Sequence, residues 1–128
     1  MKKINTIILT IFYLLNIVFI FLYLYPGSIF GYLLHRNLNL QPQITKDFLV
    51  SSNHFYAFFL LSFLGIIIYR KSKKFKFLTS YLLFLSFFLE FMHFVIPNRS
   101  FELADLFGNT IGVLSIIIVY KFLKKYEN

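Results

Sequence analysis

Four stretches of the chain are almost unbroken in their apolarity: roughly Ile4 to Tyr25, Val50 to Tyr69, Phe75 to Ile96 and Phe101 to Leu123. Each matches the thickness of a bilayer's hydrocarbon core, which takes about 20 helical residues to cross. The pattern predicts four transmembrane helices, an all-α polytopic fold with residues 1–128 as one transmembrane domain. The first run follows Lys2 and Lys3 as a secretory leader would. Its apolar core nevertheless exceeds the roughly 7 to 15 residues of such a leader, and Tyr25, Pro26, Gly27 and Ser28 offer no small-residue cleavage pattern, so it is read as a retained span.

The connections differ in character. Residues 26–49 form a long first loop in which Ile29, Phe30, Tyr32, Leu33 and Leu34 precede His35 and Arg36, the pattern of a short helix lying in the membrane interface. Asn37, Asn39, Gln41, Pro42 and Gln43 then read as an exposed turn region. The second loop is a tight basic hairpin, RKSKKFK. The third turns within Pro97, Asn98, Arg99 and Ser100, which makes the third and fourth spans antiparallel neighbours.

Composition supports the membrane reading, since 59% of the 128 residues are hydrophobic and only 14% charged, against about a quarter charged in soluble domains. The net charge of +8 would suit nucleic acid, but the charges are sorted by loop. Ten basic residues (Lys2, Lys3, Arg70, Lys71, Lys73, Lys74, Lys76, Lys121, Lys124, Lys125) fall on one side of a four-span topology and three (Arg36, Lys46, Arg99) on the other. That bias predicts both termini in the cytoplasm. The basic clusters suit anionic lipid head groups, and no aromatic-basic reading surface accompanies them, so no nucleic-acid partner is expected. Cysteine is absent, which excludes disulfides and thiolate chemistry. The 19 phenylalanines and 9 tyrosines reflect lipid-facing surface and an A+T-rich coding bias, and carry no functional inference.

Against this background, Glu90 to Gly112 stands out. Ionisable and amide groups in hydrocarbon cost several kcal/mol or so each unless partnered, so they mark function by default. Glu90 lies about 10 Å below Pro97 at 1.5 Å per residue, with His93 one turn further out on the same face. Asp105 sits near the outer end of the fourth span and Asn109 one turn deeper. His54, near the start of the second span, reaches a similar depth. All three histidines and four of the five acidic residues fall in the outer half, Glu127 being the exception.

Glu90, His93, Pro97, Arg99, Asp105, Asn109 and Gly112 resemble, in order and spacing, the C-terminal signature of VanZ-like bacterial membrane proteins: Glu-x-x-Gln, Pro-x-Arg, Asp-x-x-x-Asn-x-x-Gly. His54-Phe55, followed by Phe58 and Phe59, is similar to the His-Phe motif that opens that family's second span. The resemblance covers about residues 46 to 118. Two positions depart from it: His93 replaces a glutamine, and Val50 to Asn53 stand where an Asp-Lys pair is usual, with Lys46 and Asp47 about one turn too far upstream. The resemblance implies a multi-pass protein of the bacterial cytoplasmic membrane with an envelope role, in a family associated with reduced susceptibility to teicoplanin-type glycopeptides.

Each polar residue also has a structural reading. Glu90 and His93 form a Glu-x-x-His pair, as in carboxylate-bridged bundles, but the second such pair those sites need is missing. His54 and Asp105 would be required to complete a mononuclear site. A hydrogen-bonded network pairing Glu90 with Arg99 or a histidine is favoured, and no metal or cofactor is expected. Arg99 is read either as a fork for a phosphate or carboxylate or as an interfacial arginine pairing with Glu102 or Asp105. Asp105 and Asn109 serve either a polar cavity, with Asp105 orienting Arg99, or interhelical contacts, whereas Gly108-x-x-x-Gly112 reads as close helix packing. Asn5, Asn16, His35 and Arg36 show no convergent partners. Serine-hydrolase, zinc-helix and phosphate-loop signatures are lacking, and so are those of membrane lipid phosphatases and intramembrane CAAX-type proteases. Enzymatic activity is therefore unsupported. The expected function is an outward-facing polar pocket formed by His54, Glu90, His93, Arg99, Asp105 and Asn109, binding an envelope lipid or lipid-linked anionic molecule. The alternatives are an integral-membrane enzyme acting on a lipid-linked phosphate or ester, with Glu90 or a histidine as base, and an accessory subunit of a membrane complex.

Overall fold

The computed structural model describes residues 2–126, with side chains from Asn5 onward. The side chains of Lys2 and Lys3, and the whole of Glu127, lie outside the described residues. The chain is helical throughout its spans: α1 (Lys2–Leu24), a short α2 (Ile29–His35), α3 (Ser52–Tyr69), α4 (Phe75–Phe91) and α5 (Leu103–Tyr126). α1, α3, α4 extended by the turn at Met92–Phe94, and α5 are long and apolar enough to cross a membrane.

The spans pack up and down. At one end lie the second loop and the far end of α5, where Tyr120 donates to the Arg70 carbonyl at 3.0 Å. At the other lie the first and third loops, where the Ser51 N–H donates to the Ala104 carbonyl at 3.1 Å. α3 and α5 make the closest pair because α5 offers glycine where the helices cross. A Cβ on Gly108 would stand 2.7 Å from the Ser51 oxygen, and one on Gly112 would stand 2.7 Å from the Phe55 oxygen. The Gly-x-x-x-Gly reading as a packing seam therefore holds, and the seam carries His54 onto the helix that bears Asp105 and Asn109. A core of Phe12, Phe58, Leu61, Leu82, Leu89, Val113 and neighbours fills the bundle, while residues such as Ile17, Phe21, Phe84 and Ile118 face outward.

The helix ends differ from the sequence boundaries for identifiable reasons. α3 starts at Ser52 rather than Val50, because the Ser51 N–H is committed to α5 and the Ser52 N–H is capped by Asp47 Oδ1 at 2.9 Å. Gln43 holds the other Asp47 oxygen at 2.9 Å, so a residue that lies too far upstream for the family's Asp-Lys position organises the loop instead. α5 starts at Leu103 rather than Phe101, since the Glu102 N–H turns to Glu90. α4 tightens into a 3₁₀ turn at Met92–Phe94 ahead of Pro97. The short helix expected in the first loop is α2, capped by Ser28 Oγ at 3.0 Å from the Gly31 N–H and ended by Arg36 at φ 54°. Asn16, for which the sequence showed no partner, is buried and accepts from the Tyr81 hydroxyl of α4 at 2.7 Å.

Candidate functional site

The polar residues from α3, α4 and α5 converge beneath the third loop, and α1 closes the group. Glu90 is fully buried on α4. Its Oε1 accepts the Glu102 N–H at 3.0 Å, at the amino end of α5, where the helix dipole favours negative charge. Residues three apart share a face where α4 tightens into the 3₁₀ turn, which brings His93 Nδ1 to 3.2 Å from Glu90 Oε1. Nε2 of His93 faces the Tyr23 carbonyl at 3.0 Å. A carbonyl only accepts, so Nε2 carries the proton.

Asn109 sets the other half. Its Nδ2 donates to the Ser86 carbonyl at 3.2 Å, which turns Oδ1 towards the Tyr23 hydroxyl, 2.8 Å away, and His54 Nδ1, 3.1 Å away. His54 therefore donates through Nδ1, leaving Nε2 to face Asp105 Oδ2 at 3.4 Å. Glu90 Oε2 lies 3.9 Å from His54 Nδ1 and has no hydrogen-bond partner among the described residues.

Arg99 stands apart from this cluster. Among the described residues it forms no ion pair; its Nε and Nη2 donate to the Tyr25 and Leu22 carbonyls at 3.1 and 2.8 Å. It thus caps the carboxyl end of α1, where cations complement the exposed carbonyls. Burial draws its guanidinium below its usual pKa, an effect opposed by Tyr23, Glu90 and Asp105. Neither the pairing with Glu102 or Asp105 nor the pairing of Glu90 with Arg99 is formed: the arginine satisfies α1, and the glutamate turns to the histidines.

The match to known proteins extends beyond these residues. A family profile described as VanZ/LLP1 covers residues 9–124, nearly the whole chain. The chain belongs to the VanZ/LLP1 family. No curated protein and no solved structure matches it. With four helices suited to crossing a bilayer, this VanZ/LLP1 chain is a multi-pass membrane protein.

A cavity of about 560 Å³ opens beside the cluster, bounded by α1, α2, the 41–44 segment and α3. Of the six residues singled out in the sequence, His54 and Arg99 line it, while Glu90, His93, Asp105 and Asn109 do not. The walls are mainly apolar, from Phe19, Leu22, Phe30, Leu34, Ala57 and Leu60. Asn109 is fully buried and committed to protein partners, so it supports the site from behind. Tyr23 is the member that sequence reasoning missed. It bonds Asn109 through its hydroxyl and His93 through its carbonyl, its ring lies 5.0 Å from that of His54, and it lines the cavity. A tyrosine near a span's end matches the interfacial aromatic belt, so nothing in the sequence separated it from Tyr25.

Proposed function

We propose that this VanZ/LLP1 protein binds an envelope lipid or lipid-linked anionic molecule in the cavity between α1, α2 and α3. The supporting observation is the lining itself: apolar walls from three helices lead to the Arg99 guanidinium, within a volume typical of ligand sites. Arginine has five N–H donors, and the Nε and Nη2 bonds to α1 leave the others for a phosphate or carboxylate. In this reading the first and third loops face outward, both termini are cytoplasmic, and the protein resides in the bacterial cytoplasmic membrane, as the charge bias favours. Its physiological role is in glycopeptide or lipoglycopeptide susceptibility, or envelope homeostasis more broadly, through the lipid it holds.

Ala57 offers a test because it lines the cavity without belonging to the polar cluster. Purified protein is exchanged into nanodiscs containing phosphatidylglycerol in excess phosphatidylcholine, and the retained lipid is identified by native mass spectrometry. Wild type is expected to retain the anionic lipid and Ala57→Phe to lose it. Equal retention of phosphatidylcholine, or an unchanged lipid complement in a folded Ala57→Phe variant, would overturn the proposal.

A further inference from the structure

We propose that His54, Glu90 and Asp105 form a binding site for one divalent transition-metal cation, distinct from the lipid cavity but adjoining it through His54. One ligand-type atom from each residue lies within 4.8 Å of the others, and the three come from three different helices. Bonds of about 2.0 to 2.2 Å to zinc place neighbouring donors some 3 to 4 Å apart, so the widest pair in the cluster needs to close by about 1 to 2 Å.

The hydrogen bonds around the cluster point to a cation. Asn109 occupies the Nδ1 side of His54, so Nε2 presents a lone pair towards Asp105 Oδ2 at 3.4 Å. Two acceptors facing each other need a positive species between them. Glu90 Oε2, on a fully buried residue, has no hydrogen-bond donor among the described residues and lies 3.9 Å from Nδ1 of the same ring, so a turn of its carboxyl group would bring it onto an ion held at Nε2. An ionised carboxylate left so in low dielectric is costly, and a single divalent ion answers all three atoms and balances both carboxylates. Metal-binding histidines characteristically donate their other ring nitrogen to a fixed acceptor, which orients the ring; Asn109 Oδ1, itself held by Ser86 and Tyr23, is that acceptor. Glu90 Oε1 is steadied in the same way by the Glu102 N–H. One imidazole and two carboxylates suit zinc or manganese. The two residues that a mononuclear site would require in the sequence, His54 and Asp105, are the ones that α3 and α5 bring to Glu90.

The test uses the full chain in detergent, stripped with chelator, incubated with Zn²⁺ or Mn²⁺ in separate experiments, desalted and analysed for metal and protein. Wild type is expected to retain about one ion per chain, with X-ray absorption showing nitrogen and oxygen neighbours near 2.0 to 2.2 Å or so. The ion should also raise the unfolding midpoint. Asp105→Asn keeps the shape of a part-exposed residue; it should fold, lose most of the bound ion and lose the shift in midpoint. His54→Gln should behave likewise, whereas Ala57→Phe should still load metal, which separates this site from lipid binding. Failure of wild type to retain either ion, or equal loading in Asp105→Asn, would show that protons alone bridge these groups and would overturn the proposal.

Discussion

One amide, that of Asn109, satisfies the Tyr23 hydroxyl, the His54 ring and the Ser86 carbonyl at once. Replacing it with leucine leaves all three partners buried, so Asn109→Leu should destabilise the protein by roughly 3 kcal/mol, measurable by denaturant titration in mixed micelles. His93 presents the opposite case. Its Nε2–H contact with the Tyr23 carbonyl can be reproduced by an amide donor, so His93→Gln, the residue usual in VanZ-like proteins, should change stability by less than about 1 kcal/mol, while His93→Leu should cost about 1 to 3 kcal/mol. Polar residues such as Glu90 and Asn109 were legible in the sequence because hydrocarbon tolerates them only with partners. Tyr23 and Tyr81 were not, because an aromatic ring is unremarkable in a span and its hydroxyl acts only once a distant helix is placed; Tyr81 lies 65 positions from Asn16.

At the scale of elements, the glycines of α5 decide how near α3 can come. A methyl group at position 112 meets the Phe55 oxygen and the Phe59 nitrogen at 2.7 and 3.0 Å, backbone atoms that cannot swing aside. Gly112→Ala should therefore cost about 1 to 3 kcal/mol, and it should also loosen the contact between His54 and Asp105, visible as altered histidine chemical shifts. Arg99 acts on a different junction, joining the third loop to the last turn of α1. Arg99→Ala should accelerate amide exchange in the last turn of α1 while leaving the middle of α3 protected. Span number, the short α2 and the glycine seam could be read from periodicity and spacing. The helix starts and the 3₁₀ turn could not, because they depend on bonds such as Glu102 to Glu90 that link different elements.

For the whole molecule, the absence of cysteine makes orientation directly measurable. Single substitutions Ser72→Cys and Asn39→Cys should be labelled from opposite sides of intact spheroplasts, Asn39→Cys alone reacting with an impermeant maleimide; the reverse pattern would invert the topology argued from charge. The buried polar cluster draws on all four spans, with α5 supplying Asp105 and Asn109 last. During biogenesis, His54, more than 50 residues upstream of both, is thus in place to enter the bilayer before those partners emerge. A chain truncated before residue 105 leaves the His54 ring and the Tyr23 hydroxyl without their α5 partners in lipid, so docking of the last helix is also the step that removes the cost of those unpaired groups.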